Sequence, residues 1–113
     1  QGGFADTGPD IQFDSRGVEF GPWLRRFIAQ VKSNWFVPQV AGIVGDRRVV
    51  LQFNVHKNGG ITDLRVVTGA DLEAFNLSSF NAVKLSNPTL PLPPEFPDAK
   101  AFFTVIFHYE RRR

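Results

Sequence analysis

Side chains able to do chemistry are few in this 113-residue chain, and they are scattered. The two histidines, His56 and His108, fall in separate stretches of alternating apolar residues, with no ligand or nucleophile motif around either. A lone histidine in such a stretch is more often structural or solvent-facing than catalytic. Asp63 and Arg65 lie two apart, which reads as an exposed pair on one strand. Ser78 and Ser79 fall early in a helical stretch, where hydroxyls serve the backbone. No H-E-x-x-H, phosphate-loop, G-x-S-x-G or calcium-loop pattern occurs. The chain has no cysteine, which excludes disulfides and thiolate metal sites. Nothing assembles a nucleophile, a base and an oxyanion site, so the chain is not expected to be an enzyme. Neither a metal nor a cofactor is expected.

Charge narrows the field further. The formal net charge is +2, from 13 Lys and Arg against 11 Asp and Glu. Setting aside Arg111, Arg112 and Arg113 leaves 10 basic residues against the same 11 acidic ones, a net of −1. The basic character therefore belongs to the tail and not to the body. Nucleic-acid binding calls for a basic face with interleaved aromatics. Here the aromatics follow the periods of a core, so no nucleic-acid partner is expected. What remains is binding through a surface or a sheet edge, and the elements decide which is presented.

The organising stretch is Arg47 to Thr68. Val49, Leu51, Phe53 and Val55 recur at every second residue and share one face of a strand. Gln52, Asn54 and His56 take the other face. Lys57-Asn58-Gly59-Gly60 reads as a tight primed turn, and β-branched Ile61 to Thr68 as the return strand. A hairpin alone is marginal in water, so other elements must cover its apolar face. A helix is predicted from about Pro22 to Trp35. Leu24, Ile28, Val31 and Trp35 form its stripe, widened by Phe27, and Pro38 lies beyond its end. Gln39 to Asp46 is a connecting loop. A second helix is predicted from Asn76, as N-cap, to Asn87, with Asp71 as the alternative start. Phe75 and Phe80 have the spacing of a hydrophobic staple; Leu77, Phe80, Ala82 and Val83 are its expected buried residues. Five of the eight prolines lie within Asn87 to Asp98. That segment reads as a stiff connector, with Leu90, Leu92 and Phe96 available for packing, in preference to a polyproline ligand. The last strand runs from Ala101 to Tyr109. Phe103, Val105, Phe107 and Tyr109 make the core face, and Phe102, Thr104, Ile106 and His108 the other.

The expected organisation is one domain over residues 18–110. It is preceded by a Gly-, Asp- and Ser-rich linker or loosely held arm (1–17) and followed by a basic tail (111–113). There is no methionine and the first residue is Gln1, so the expectation is a processed or excised fragment, any leader or anchor lying upstream. No apolar run approaches the roughly 20 residues that cross a bilayer.

The fold class expected is α+β: a three-stranded antiparallel sheet in the order 2-1-3, with two helices packed on one face, in the sequence α-β-β-α-β. Both edges then belong to the second and third strands. Asp63 and Arg65 guard the former. The latter carries no fixed charge from Ala101 to Tyr109, which makes it a rail for strand addition or for pairing with a second copy. The candidate partner-binding residues are Phe102, Thr104, Ile106 and His108, joined by Gln39 and Val40 from the connecting loop.

The succession VVLQFNVHKNGGITDLRVVTG, then SSFNAV, Asn87-Pro88, LPLPP and an aromatic terminal strand resembles the C-terminal domain of the TonB/TolA energy-transducer family over about Gly17 to Tyr109. The helix ending in Asn34-Trp35 is closer to the TolA side. Phe75-Asn76 stands where the family often has an aliphatic residue followed by Asp. The resemblance implies the periplasmic domain of an inner-membrane-anchored protein, coupled through a missing N-terminal helix to a proton-driven motor. It also implies a partner bound in extended form: a segment of an outer-membrane TonB-dependent transporter or, on the TolA side, a Tol/Pal-type envelope protein.

Overall fold

The hairpin forms as its alternation requires. The computed structural model describes residues 3–4, 9–38, 45–109 and 111–112. Strands β1 (Gly3–Phe4) and β2 (Asp10–Gln12) precede helix α1 (Gly21–Ser33). Strands β3 (Arg47–His56) and β4 (Ile61–Thr68), helix α2 (Glu73–Lys84), and strands β5 (Lys100–Tyr109) and β6 (Arg111–Arg112) follow. Every second residue of β3 from Val49 to Val55 is fully buried, as is every second residue of β5 from Phe103 to Tyr109.

The main sheet has four strands in the order β2-β5-β3-β4, all antiparallel, and β1 pairs separately with β6. The order of the three long strands is the expected one. The strand count is corrected from three to four, because Asp10–Gln12 pairs with Thr104–Ile106 along the edge expected to stay open. Three residues in a Gly- and Asp-rich stretch are too few to show a period of two.

The hairpin turn also differs from the primed turn expected. Of its residues only Gly59 has positive φ (+94°). The Gly59 amide donates to the His56 carbonyl (2.8 Å), and the His56 amide to Gly60 O (2.8 Å). This is a three-residue loop closed by a left-handed glycine, the next commonest hairpin connection. The proline-rich connector passes over it. Thr89 and Leu92 donate their amides to the Gly59 and Lys57 carbonyls (2.8 and 3.0 Å), and Leu92 and Phe96 are buried. Leu90, expected to pack, keeps an exposed side chain but accepts Trp23 Nε1–H on its carbonyl (2.9 Å).

Both helices cover the same sheet face. In α1 the buried stripe is Trp23, Phe27 and Val31, flanked by Phe20 and Trp35, while Leu24 and Ile28 sit on its shoulder. The spacing of four brings the largest rings onto the sheet. Trp23 stacks on Phe27 and Phe103 (centroids 5.1 and 5.3 Å), and Phe103 stacks on Phe53 (5.7 Å, 6°). The helix begins at Gly21, whose amide donates to the Glu19 carboxylate (2.8 Å), and Pro22 occupies its first turn.

In α2 the buried residues are Phe75, Ser79, Ala82 and Val83, and Leu77 is exposed. Ser79 hid this stripe from a hydrophobicity count. Its hydroxyl is buried because it bonds Phe75 O (2.9 Å) and the Tyr109 hydroxyl (2.7 Å). The helix starts a turn before Asn76, so Asn76 caps nothing. Its side chain instead accepts from Ala70 N (2.7 Å) and donates to Ala70 O (3.2 Å), fixing the chain that enters the helix.

The Tyr109 hydroxyl also accepts Trp35 Nε1–H (2.8 Å), tying α1, α2 and β5 together inside the core. Tyr109→Phe removes that acceptor and leaves a buried indole N–H facing a hydrocarbon edge. The expected loss is about 2 kcal/mol by urea unfolding. Combining it with Trp35→Phe should cost less than the sum of the two single changes.

Candidate partner-binding edge

Of the candidate residues, Phe102, Thr104, Ile106 and His108 stand together on the uncovered face of β5, beside Gln52 and Val50 of β3. Phe102 is about half exposed (49%), with the Arg65 guanidinium over its ring at 5.9 Å. Arg65 Nη2–H donates to Gln52 Oε1 (3.1 Å), and Gln52 Nε2–H to Thr104 Oγ1 (3.3 Å). This polar relay runs across the strands and leaves their outer faces in reach of solvent. Gln39 and Val40 lie outside the described residues.

The two sheet edges differ in kind. Edge strand β4 is broken by register shifts, and Asp63 sits in the left-handed region (φ +59°). Arg65 Nη1–H donates to the Asp63 carbonyl (2.9 Å), so both charged residues blunt this edge as expected. The Asp63 carboxyl is held below the ordinary carboxylate range, chiefly by the hydrogen bond from Asn54 Nδ2 (2.9 Å) and next by Thr62 Oγ1. At the opposite end of β3 an exposed pair forms between Arg47 Nε and Asp71 Oδ1 (2.7 Å). Its hydrogen bond lowers the Asp71 carboxyl and raises the Arg47 guanidinium.

The β5 edge is smooth over its ten residues and meets β2 at three of them, Thr104 to Ile106. That strand was legible only as Ile11 and Phe13, two apart in a polar stretch. From Lys100 to Phe103 no β2 residue is in register. A cleft of about 440 Å³ opens there, lined by Gln12, Phe13, Phe96, Lys100, Phe102 and Thr104 among others.

The histidines do not meet. His56 pairs in register with Lys100 and His108 with Arg48, eight residues apart along the sheet, roughly 26 Å at strand rise. His56 Nε2 contacts Thr62 Oγ1 (2.8 Å), and His108 Nε2 contacts Asp10 Oδ2 (2.9 Å). Among the described residues no group of three or more His, Asp and Glu side chains is placed to hold a metal ion.

Residues 20–108 match the family described as TonB C terminal, which covers most of the chain and both of its helices. The chain belongs to the TonB C-terminal family. No curated protein and no solved structure matches it. The TonB C-terminal match begins at Phe20, so β2 lies outside it, whereas β5 is inside almost entire. Among the described residues no helix is long and apolar enough to cross a membrane.

Proposed function

We propose that this TonB-family domain grips an extended segment of an outer-membrane transporter by adding it as a strand at the outer edge of β5, in the periplasm. Through chain on its N-terminal side it would pass on force from a proton-driven inner-membrane motor. The observation that carries this reading is the asymmetry of the edges. Edge β4 is bulged and charged, whereas β5 is straight, ten residues long and met by its outer neighbour at only three. Backbone hydrogen bonds along β5 would supply affinity, and Phe102, Thr104, Ile106 and His108 would select among outward side chains.

The test leaves the protein unaltered and changes the ligand. A labelled peptide copying the periplasm-facing terminal segment of a transporter from the same cell is titrated into the domain. N-methylation of alternate residues removes the amides that face β5 in one phase and those that face solvent in the other. Strand addition predicts a loss of at least tenfold, about 1.4 kcal/mol, in the first phase and little change in the second. Equal affinities in both phases would exclude this mode of binding.

A further inference from the structure

The strand already on the edge has a sequence of its own to read. Its three residues and Phe13 after them alternate in facing. Ile11 pairs with Val105 on the core side, and Phe13, just past the paired stretch, turns its ring to the same side. The Phe13 ring stacks on Phe103 (centroids 4.5 Å, 23°) and meets Phe20 edge-on (4.8 Å). Asp10 and Gln12 are exposed on the outer side, where the Asp10 carboxylate reaches His108 Nε2 at 2.9 Å. After Phe13 the chain turns away. The Arg16 amide donates to Asp14 Oδ1 (2.9 Å), Arg16 Nη1 pairs with Asp98 (2.5 Å), and Arg16 and Gly17 take positive φ (+55° and +76°). The strand is thus three paired residues and one half-buried ring, tethered at its C-terminal end by a turn, while Gly3–Phe4 upstream pairs with Arg111–Arg112.

We propose that Asp10–Phe13 is a resident stand-in for the partner strand. The outer edge of β5 takes an extended segment bearing a carboxylate, an aliphatic, a polar and an aromatic residue in succession, and takes it only once the arm has left. This rests on the strand-addition reading above. Three of the four positions have a receptor on the domain: His108 for the carboxylate, the rim beside Val105 for the aliphatic side chain, and the slot between Phe20 and Phe103 for the ring; the polar residue, Gln12, faces solvent. The arm competes from the same chain, at an effective concentration on the order of millimolar, so an incoming segment sees its affinity multiplied by the fraction of time the edge is open, and weakened accordingly. A longer partner strand would also fill the cleft along Lys100 and Phe102 that the arm leaves empty.

The test uses the whole chain with Ile11→Cys and Val105→Cys. These positions face each other across an antiparallel pair, at a separation suited to a disulfide, and the protein has no other thiol. Two labelled probes are titrated into the oxidised and reduced forms: the transporter segment, and a decapeptide of the arm itself (residues 9–18). Both should bind the reduced form and lose at least tenfold on oxidation. In the otherwise unaltered chain, Phe13→Ser should tighten both probes about tenfold, and Ile11→Ser should do so to a lesser degree. Changing Asp10 of the arm probe to Asn should weaken it. If the oxidised and reduced forms bind the transporter segment alike, the β5 edge is not the site and the strand-addition reading falls. If oxidation blocks binding but neither serine variant tightens it, that reading stands and the resident-strand proposal is overturned.

Discussion

Phe103→Ala is expected to destabilise the domain by about 4 kcal/mol, within the range for deleting a fully buried ring. Phe103 is completely enclosed, with rings from β2's flank (Phe13), α1 (Trp23) and β3 (Phe53) stacked around it. Its removal leaves three layers without their common partner. Against a total stability of roughly 5–15 kcal/mol that is a large share, and the melting temperature should fall by about 15–30 °C. The neighbour supplies the control. Phe102→Ala, one residue along and facing outward, should cost below about 1 kcal/mol, since its ring meets solvent and the Arg65 head. Thermal melts of the two variants followed by circular dichroism decide the matter. Equal losses would contradict the assignment of faces on β5.

Gly59→Ala should cost about 3 kcal/mol, for two reasons that add. The backbone sits at φ +94°, where a side chain is strained by about 1–2 kcal/mol. A Cβ there would also run into the Thr89 carbonyl oxygen and lie 3.0 Å from that of Leu90. Those atoms belong to the connector whose amide at Thr89 is bonded to Gly59 O, so relief of the clash breaks the clamp. Gly60→Ala is the contrast. Gly60 has no positive φ, and its nearest new neighbour is the Asn58 side chain at 3.2 Å. It should lose less than about 1 kcal/mol. Urea unfolding of both variants gives the comparison, and a neutral Gly59→Ala would mean that the connector does not bear on the turn.

The long elements were legible because their periods are unbroken. From Val49 to Val55 and from Phe103 to Tyr109 every second residue is a large apolar one, interrupted on the other face only by Val50 and Ile106, and both strands bury the face that this period names. Helix faces were read less well. Ser79 is polar and buried, Leu77 apolar and exposed, and the hydrogen bond to Tyr109 that reverses their ranking joins residues thirty apart. Trp23 was missed because Leu24 and Ile28 offered an equally regular stripe one residue along. The outward placement of Phe102, Thr104, Ile106 and His108 was legible from the spacing of the core face opposite. What sits beside them was not, because Ile11 and Phe13 acquire a period only when paired with Val105 and Phe103.

The antiparallel course of β2 gives the edge a direction of opening. A tug from the N-terminal side meets the Gly3–Phe4 pairing with Arg111–Arg112 first, then the Asp10–Ile106 pair, and reaches the Phe13 ring last, so the seam parts like a zip, one rung at a time. A tug along the strand axis would strain every rung together. The same few bonds are therefore weak to one angle of pull and stiff to another, and tension itself would choose when the edge is bare.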